Sequence, residues 1–124
     1  MKKILLIEDD VRLAEMYKEQ FKLSNLEVIL AKDSEEAFKK INTAIKLILL
    51  DLLLPGENGF EILKKIKSNK SYSKIPVIIL TNLGTEKANK DTDLAISLGA
   101  NNFLVKAYYT PDQVVKKIKK IMDK

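Results

Sequence analysis

Lys46-Leu47-Ile48-Leu49-Leu50-Asp51-Leu52-Leu53-Leu54-Pro55-Gly56-Glu57-Asn58-Gly59 decides how this chain is built. Its first part is a short, unbroken apolar run that stops on a carboxylate. Its last part carries Pro55, Gly56 and Gly59, which mark a loop. An apolar run of this length without alternation is the pattern of a strand covered on both faces. The same unit recurs along the chain. Residues 3–7 stop on Glu8-Asp9-Asp10, residues 76–80 stop on Thr81, and Asn102–Val105 stops on Lys106, while Leu26–Ala31 is a further strand-like run.

Longer amphipathic stretches lie between these runs. Val11–Leu23 places Leu13, Ala14, Tyr17 and Phe21 on one helical face. Asp33 and Glu36 stand at capping-box spacing ahead of Ala37, Phe38 and Ile41. Ile62, Leu63 and Ile66 mark a third helix, and residues 85–98 a polar fourth that stops at Gly99. Thr110-Pro111-Asp112-Gln113 opens the last helix with a Thr N-cap, a first-turn Pro and a Gln three residues on. Val114, Val115, Ile118, Ile121 and Met122 form its apolar stripe. Five alternations of strand and helix predict an α/β domain: a doubly wound, five-stranded parallel sheet with helices on both faces. The 124 residues suit one domain, expected to occupy 1–124.

Composition removes whole classes of chemistry. The chain has no cysteine and no histidine, so disulfides, thiolate zinc sites and histidine bases are excluded. Carboxylates, Lys, Ser/Thr, Tyr and backbone remain. The net charge of +5 comes mostly from lysines in helical runs such as Lys64-Lys65-Ile66-Lys67 and Lys116-Lys117-Ile118-Lys119-Lys120, read as a solvated exterior. No basic-aromatic pattern accompanies it, so direct nucleic-acid binding is not expected. No apolar run approaches the roughly 18 residues of a membrane span, and the apolar N-terminal run is too short for a secretory signal. A cytoplasmic protein is expected.

In doubly wound sheets functional groups gather at the carboxyl ends of the strands. Parallel strands would bring Glu8, Asp9, Asp10, Asp51, Thr81 and Lys106 to one edge. Clustered carboxylates repel and need a hard cation, and all-oxygen ligation favours Mg2+ or Ca2+. Mg2+ takes only one or two carboxylates, which leaves another free to attack phosphorus. Lys106 and the Thr81 hydroxyl would help neutralise a transferring phosphoryl group. Asp10 reads better as the cap of the first helix than as a ligand.

Four segments carry a family resemblance. Ile4-Leu5-Leu6-Ile7-Glu8-Asp9-Asp10, the stretch from Leu49 to Gly59, Val77-Ile78-Ile79-Leu80-Thr81-Asn82 and Phe103-Leu104-Val105-Lys106 come in order and at the spacing of the signatures of response-regulator receiver domains. Over essentially its whole length the chain resembles that two-component family, chemotaxis regulators included. The resemblance implies a flavodoxin-like fold with strand order 2-1-3-4-5 and a cytoplasmic signalling switch. It implies that Asp51 accepts phosphate from a phosphohistidine on a sensor histidine kinase or phosphotransfer protein. Glu8, Asp9 and Asp51 would hold Mg2+, with the Leu53 backbone carbonyl as a further ligand. Lys106 would pair with phosphoryl oxygens, Thr81 would move to bond one of them, and Phe103 would be the aromatic that turns inward. Such a chain is no enzyme beyond its own phosphorylation and dephosphorylation. With no output domain after the last helix, a stand-alone monomer or weak dimer is expected. It would signal to a downstream protein through the face around the fourth helix, fifth strand and fifth helix.

Three positions depart from the family pattern. Ala107 stands where the family usually has Pro, often after a cis bond. Either the fold holds a cis bond there, or the bond is trans and Lys106 approaches differently. Leu53 and Leu83 stand where family side chains help place the water that hydrolyses the acyl phosphate. Leu cannot orient water, so a slowly decaying phosphoryl form is expected. The competing readings are a phosphorylation-independent docking module, an aspartyl-phosphate phosphatase of the haloacid-dehalogenase type, and a nucleotide or flavin binder. The phosphatase needs a second Asp where this chain has Leu53. The nucleotide binder lacks a Gly-rich loop after the first strand. Tyr108-Tyr109 could belong to a partner surface or cover the core edge, and the second reading is preferred.

Overall fold

The computed structural model describes residues 1–54, 56–81 and 85–123; the side chains of Leu53, Thr81 and residues 85–89 lie outside the description. In chain order the elements are β1 (Lys2–Ile7), α1 (Val11–Leu23), β2 (Leu26–Ala31), α2 (Ser34–Lys40), β3 (Ile45–Leu50), β4 (Leu53–Leu54), β5 (Glu57–Asn58), α3 (Gly59–Ser68), β6 (Val77–Thr81), α4 (Thr85–Ser97), β7 (Asn102–Val105), a 3-10 turn (Lys106–Tyr108) and α5 (Pro111–Met122). Five strands form one sheet in the order β2-β1-β3-β6-β7, and each neighbouring pair is parallel. Setting aside the two-residue strands β4 and β5, this is the expected order 2-1-3-4-5.

The unbroken apolar runs have a direct cause. Alternate residues of a strand point to opposite faces, and here both faces are covered. Leu5, Ile7, Ile48, Leu50, Val77 and Ile79 pack with Ala37, Ile62, Leu63, Ile66 and Ala95 of α2, α3 and α4. Ile4, Leu6, Leu47, Leu49, Ile78 and Leu80 pack with Ala14, Tyr17 and Phe21 of α1 and Val114, Val115 and Ile118 of α5. Polar residues on either face of a central strand would have had no partner.

Helix ends follow their caps. Asp10 caps α1 through Leu13 N at 3.1 Å, as expected of it. Asp33 caps α2 through Glu36 N at 2.9 Å. The expected reciprocal bond is displaced by one residue, since Glu36 Oε1 accepts from Lys32 N at 3.1 Å. Gln113 Oε1 accepts from Thr110 N at 2.9 Å and closes the first turn of α5. Past α4, Gly99 adopts φ +107; its N–H donates to Ile96 O at 3.0 Å and that of Ala100 to Ala95 O at 2.9 Å, a Schellman ending.

Two details of the exterior differ from the sequence reading. Lys67 is not part of a solvated run: its Nζ donates to Ser73 O at 3.1 Å and Ile75 O at 2.8 Å, fastening the end of α3 to the segment that leads into β6. The two tyrosines divide. Tyr109 is half-buried against the α1–α5 side of the core, with Lys117 Nζ 5.4 Å from its ring centroid, whereas Tyr108 is 60% exposed. Among the described residues no helix is long and apolar enough to cross a membrane.

Candidate functional site: an acidic cluster at the carboxyl edge of the sheet

Register brings the acidic groups together. Ile7 of β1 lies opposite Leu50 of β3, so Glu8 and Asp51 leave the sheet side by side. The backbone holds them there: Glu8 N donates to Ala31 O at 2.9 Å and Asp51 N to Ile7 O at 3.1 Å. Both side chains are buried, an uncommon state for carboxylates. Asp9 is half-buried beside them. Glu8, Asp9 and Asp51 each offer a carboxylate oxygen, and the three oxygens lie within 4.8 Å of one another.

The cation on this edge reaches in from the far side. β7 is two strands from β3, roughly 10 Å at ordinary strand spacing. The 3-10 turn begins at Lys106, directly after β7 ends. From there Lys106 Nζ lies 2.9 Å from Asp51 Oδ2 and also donates to Glu8 Oε1. The Lys106–Ala107 bond is trans. Of the two alternatives at this bond, the chain takes the trans one, and the ammonium still reaches Asp51.

Burial decides the electrostatics. Desolvation of Glu8, with a smaller push from the Asp51 charge, outweighs the Lys106 ammonium and lifts its carboxyl to about 7. At Lys106 desolvation acts downward, but the hydrogen bonds and charges of Glu8 and Asp51 prevail and the ammonium is raised above its usual value. Tyr17 of α1, read from sequence as a core residue only, is fully buried and lies within reach of these charges. Its phenol is pushed up by desolvation, against the pull of Lys106 and with the help of Glu8 and Asp51.

The other expected residues fall as follows. Thr81 ends β6, its backbone paired with Val105, the residue before Lys106; its side chain lies outside the description. Leu53 begins β4, opposite Asn58 of β5. Phe103 is half-buried against the α2–α4 side of the core. Asp10 caps α1, and its backbone N–H donates to Glu8 Oε2 at 3.2 Å. Leu83 lies outside the described residues. Sequence reasoning gave no role to Glu57 or Ser34, which are bonded to each other at the start of α2. Nothing local could have paired them, since they lie 23 positions apart.

Three carboxylates offer hard oxygen donors beside the Lys106 ammonium that bonds two of them, so the cluster could hold a divalent cation. Comparison with known proteins places the fold and the family. The family model of the response regulator receiver domain matches residues 4–119. The transcriptional regulatory protein CpxR of Escherichia coli (strain K12) is 35% identical over 116 residues, which are 94% of this chain and 47% of CpxR. The chain thus spans about half the length of the curated relatives it matches. Among solved structures, a CheY-like response regulator receiver domain protein from Methanospirillum hungatei JF-1 matches with a TM-score of 0.85 at 25% identity, over 99% of this chain and 94% of that one. The Mn2+-bound form of response regulator Rcp1 matches with a TM-score of 0.77 at 31% identity, over 98% and 91%. A family model that spans residues 4–119, relatives above 30% identity and a shared fold make this chain a member of the response regulator receiver domain family.

Proposed function

We propose that the chain is a phosphorylation switch of a two-component system, with Asp51 as the phosphoryl acceptor. The observation that carries this is the buried Asp51 carboxylate held 2.9 Å from the Lys106 ammonium, inside an acidic cluster at the carboxyl edge of the sheet. An Asp51 carboxylate oxygen would attack the phosphorus of a phosphohistidine on a partner kinase or phosphotransfer protein. The P–N bond breaks, the electron pair leaves with the imidazole nitrogen, and an acyl phosphate remains on Asp51. Mg2+, held by Glu8, Asp9 and Asp51 with the Leu53 carbonyl, would supply positive charge against the phosphoryl oxygens. Lys106 stays paired with the same charge as it moves from carboxylate to phosphoryl. Thr81 would bond a phosphoryl oxygen, and Phe103 would follow it inward.

The chain turns over no other substrate on this reading. Its output is a change in a protein-binding face made by α4, β7 and α5, by population shift between two conformers. Its place is the cytoplasm, and its partners are the phosphodonor protein and a downstream protein target. Leucines at positions 53 and 83 cannot hydrogen-bond a hydrolytic water, so on this reading the acyl phosphate is long-lived. Leu53→Asn should shorten its lifetime severalfold; an unchanged decay would remove that explanation.

The decisive experiment is intact-mass spectrometry after incubation with a small-molecule phosphodonor, with and without Mg2+, beside Asp51→Asn. A single Mg2+-dependent phosphoryl adduct, absent from the variant, is expected. A folded protein that takes no adduct would instead be a phosphorylation-independent docking module.

A further inference from the structure

Strands β4 and β5 pair only as Leu53 with Asn58 and Leu54 with Glu57. A ladder this short does not support itself, yet it carries the segment that follows Asp51. Leu52 and Leu54 are buried in the core on the α2 side. Gly59 N donates to Leu52 O at 3.2 Å. The third anchor is Glu57. Its Oε2 accepts from Ser34 N at 3.0 Å and its Oε1 from the Ser34 hydroxyl. Ser34 is the first residue of α2, and the Asp33 cap serves Glu36 N instead. The Ser34 N–H is therefore one of the donors a helix start leaves without an intrahelical partner, and Glu57 satisfies it.

We propose that Glu57 is a positioning residue for the cation site: by fastening the β4–β5 hairpin to the first turn of α2, it fixes the Leu53 carbonyl and sets how tightly Mg2+ is held. The inference rests on the metal reading given above. A backbone carbonyl has no rotamer of its own, so only the path of the hairpin aims it. Residues that orient metal ligands from outside typically change affinity by about 10–100-fold. Acting through backbone, Glu57 is expected to contribute about three- to tenfold.

Two substitutions separate position from charge. Glu57→Ala removes the acceptor and a negative charge. Ser34→Pro removes both donors and keeps that charge. Pro is suited to the first residue of a helix, and Asp33, at φ −155 and ψ 180 to within a degree, already has the extended backbone that precedes a proline. Mg2+ affinity would be measured by titration calorimetry on the wild type, both variants and their combination, with thermal melts to confirm folding. Both single variants should bind Mg2+ three- to tenfold more weakly, and the double variant no more weakly than the weaker single. Wild-type affinity in folded Ser34→Pro would overturn the proposal, even if Glu57→Ala is weakened, because Glu57 would then act by charge alone. A wild type that takes up no Mg2+ would overturn the metal reading and this role together, whereas a wild type that binds while both variants match it overturns this role alone.

Discussion

Lys106 is the ammonium between two buried carboxylates, with only 12% of its side chain exposed. Lys106→Met should therefore cost about 3 kcal/mol near pH 8, the lower end of what breaking a buried pair costs. Urea unfolding of metal-free protein measures it. At pH 5, where Glu8 is protonated, the loss should shrink; a loss independent of pH would mean that Lys106 acts by packing. Glu8 itself makes metal-free stability depend on pH. Its folded value of about 7 lies above its ordinary 4.5, so the native state binds the proton more tightly than the unfolded chain. The stabilisation from this group is full below about 4.5 and is lost as pH rises through 7. Mg2+ held at this cluster would need the carboxylate and compete with the proton. The rise in Tm on adding Mg2+ should therefore grow between pH 6 and 8, and a constant rise would place Glu8 outside the metal site.

At the scale of the element, ends and joints carry the information. Gly99 closes α4 at φ +107, with the Lys67 Cγ 3.0 Å from where a Cβ would stand. Gly99→Ala should cost about 1–3 kcal/mol from the backbone alone, visible as a lower Tm with Mg2+ affinity retained. Gly59 should behave differently. A Cβ there would stand 2.5 Å from Leu52 Cα and 2.9 Å from Asp51 O, so Gly59→Ala should lose both stability and Mg2+ affinity. Elements with strong local signals were legible in sequence. Val11–Leu23, Leu26–Ala31 and Asn102–Val105 fall where expected, because caps and apolar runs are local. The fourth sheet strand starts one residue later than read, at Val77, since Pro76 has no N–H to pair. The β4–β5 hairpin carries only loop signals in the sequence. Pro55 and Gly56 signal a turn, but a two-residue ladder leaves no periodicity. The inward reach of Lys67 and the Glu57–Ser34 bond depend on partners that only the folded chain supplies. The acidic cluster itself was legible because parallel strands turn separate strand ends into one edge.

For the molecule as a whole, the sheet divides into a rigid interior and a less covered margin. β1, β3 and β6 are buried on both faces, with Ile4, Leu5, Ile48, Leu49, Leu50 and Val77 wholly inaccessible. β7 is the edge strand on the Lys106 side, opposite the β2 edge, and of its four residues only Leu104 is buried. Leu94 and Ile96 of α4 are 44% and 48% exposed, and Tyr108 lies beyond the strand end. Elements with few buried contacts open locally, while core strands open only with the whole domain. A switch driven from Asp51 must therefore act where the margin is cheapest to rearrange. Lys106 connects the two regions, because it begins directly after β7 and ends at Asp51. Occupying Asp51 with a phosphoryl group or a tetrahedral mimic should change amide hydrogen exchange in β7, the 3-10 turn and α4, and leave β1 and β3 unchanged except for global stabilisation. The Lys106→Met variant should lose the change at the margin even where Asp51 is still occupied. Uniform protection of all elements would mean that phosphorylation only stabilises the fold, and that the α4–β7–α5 face is not its output.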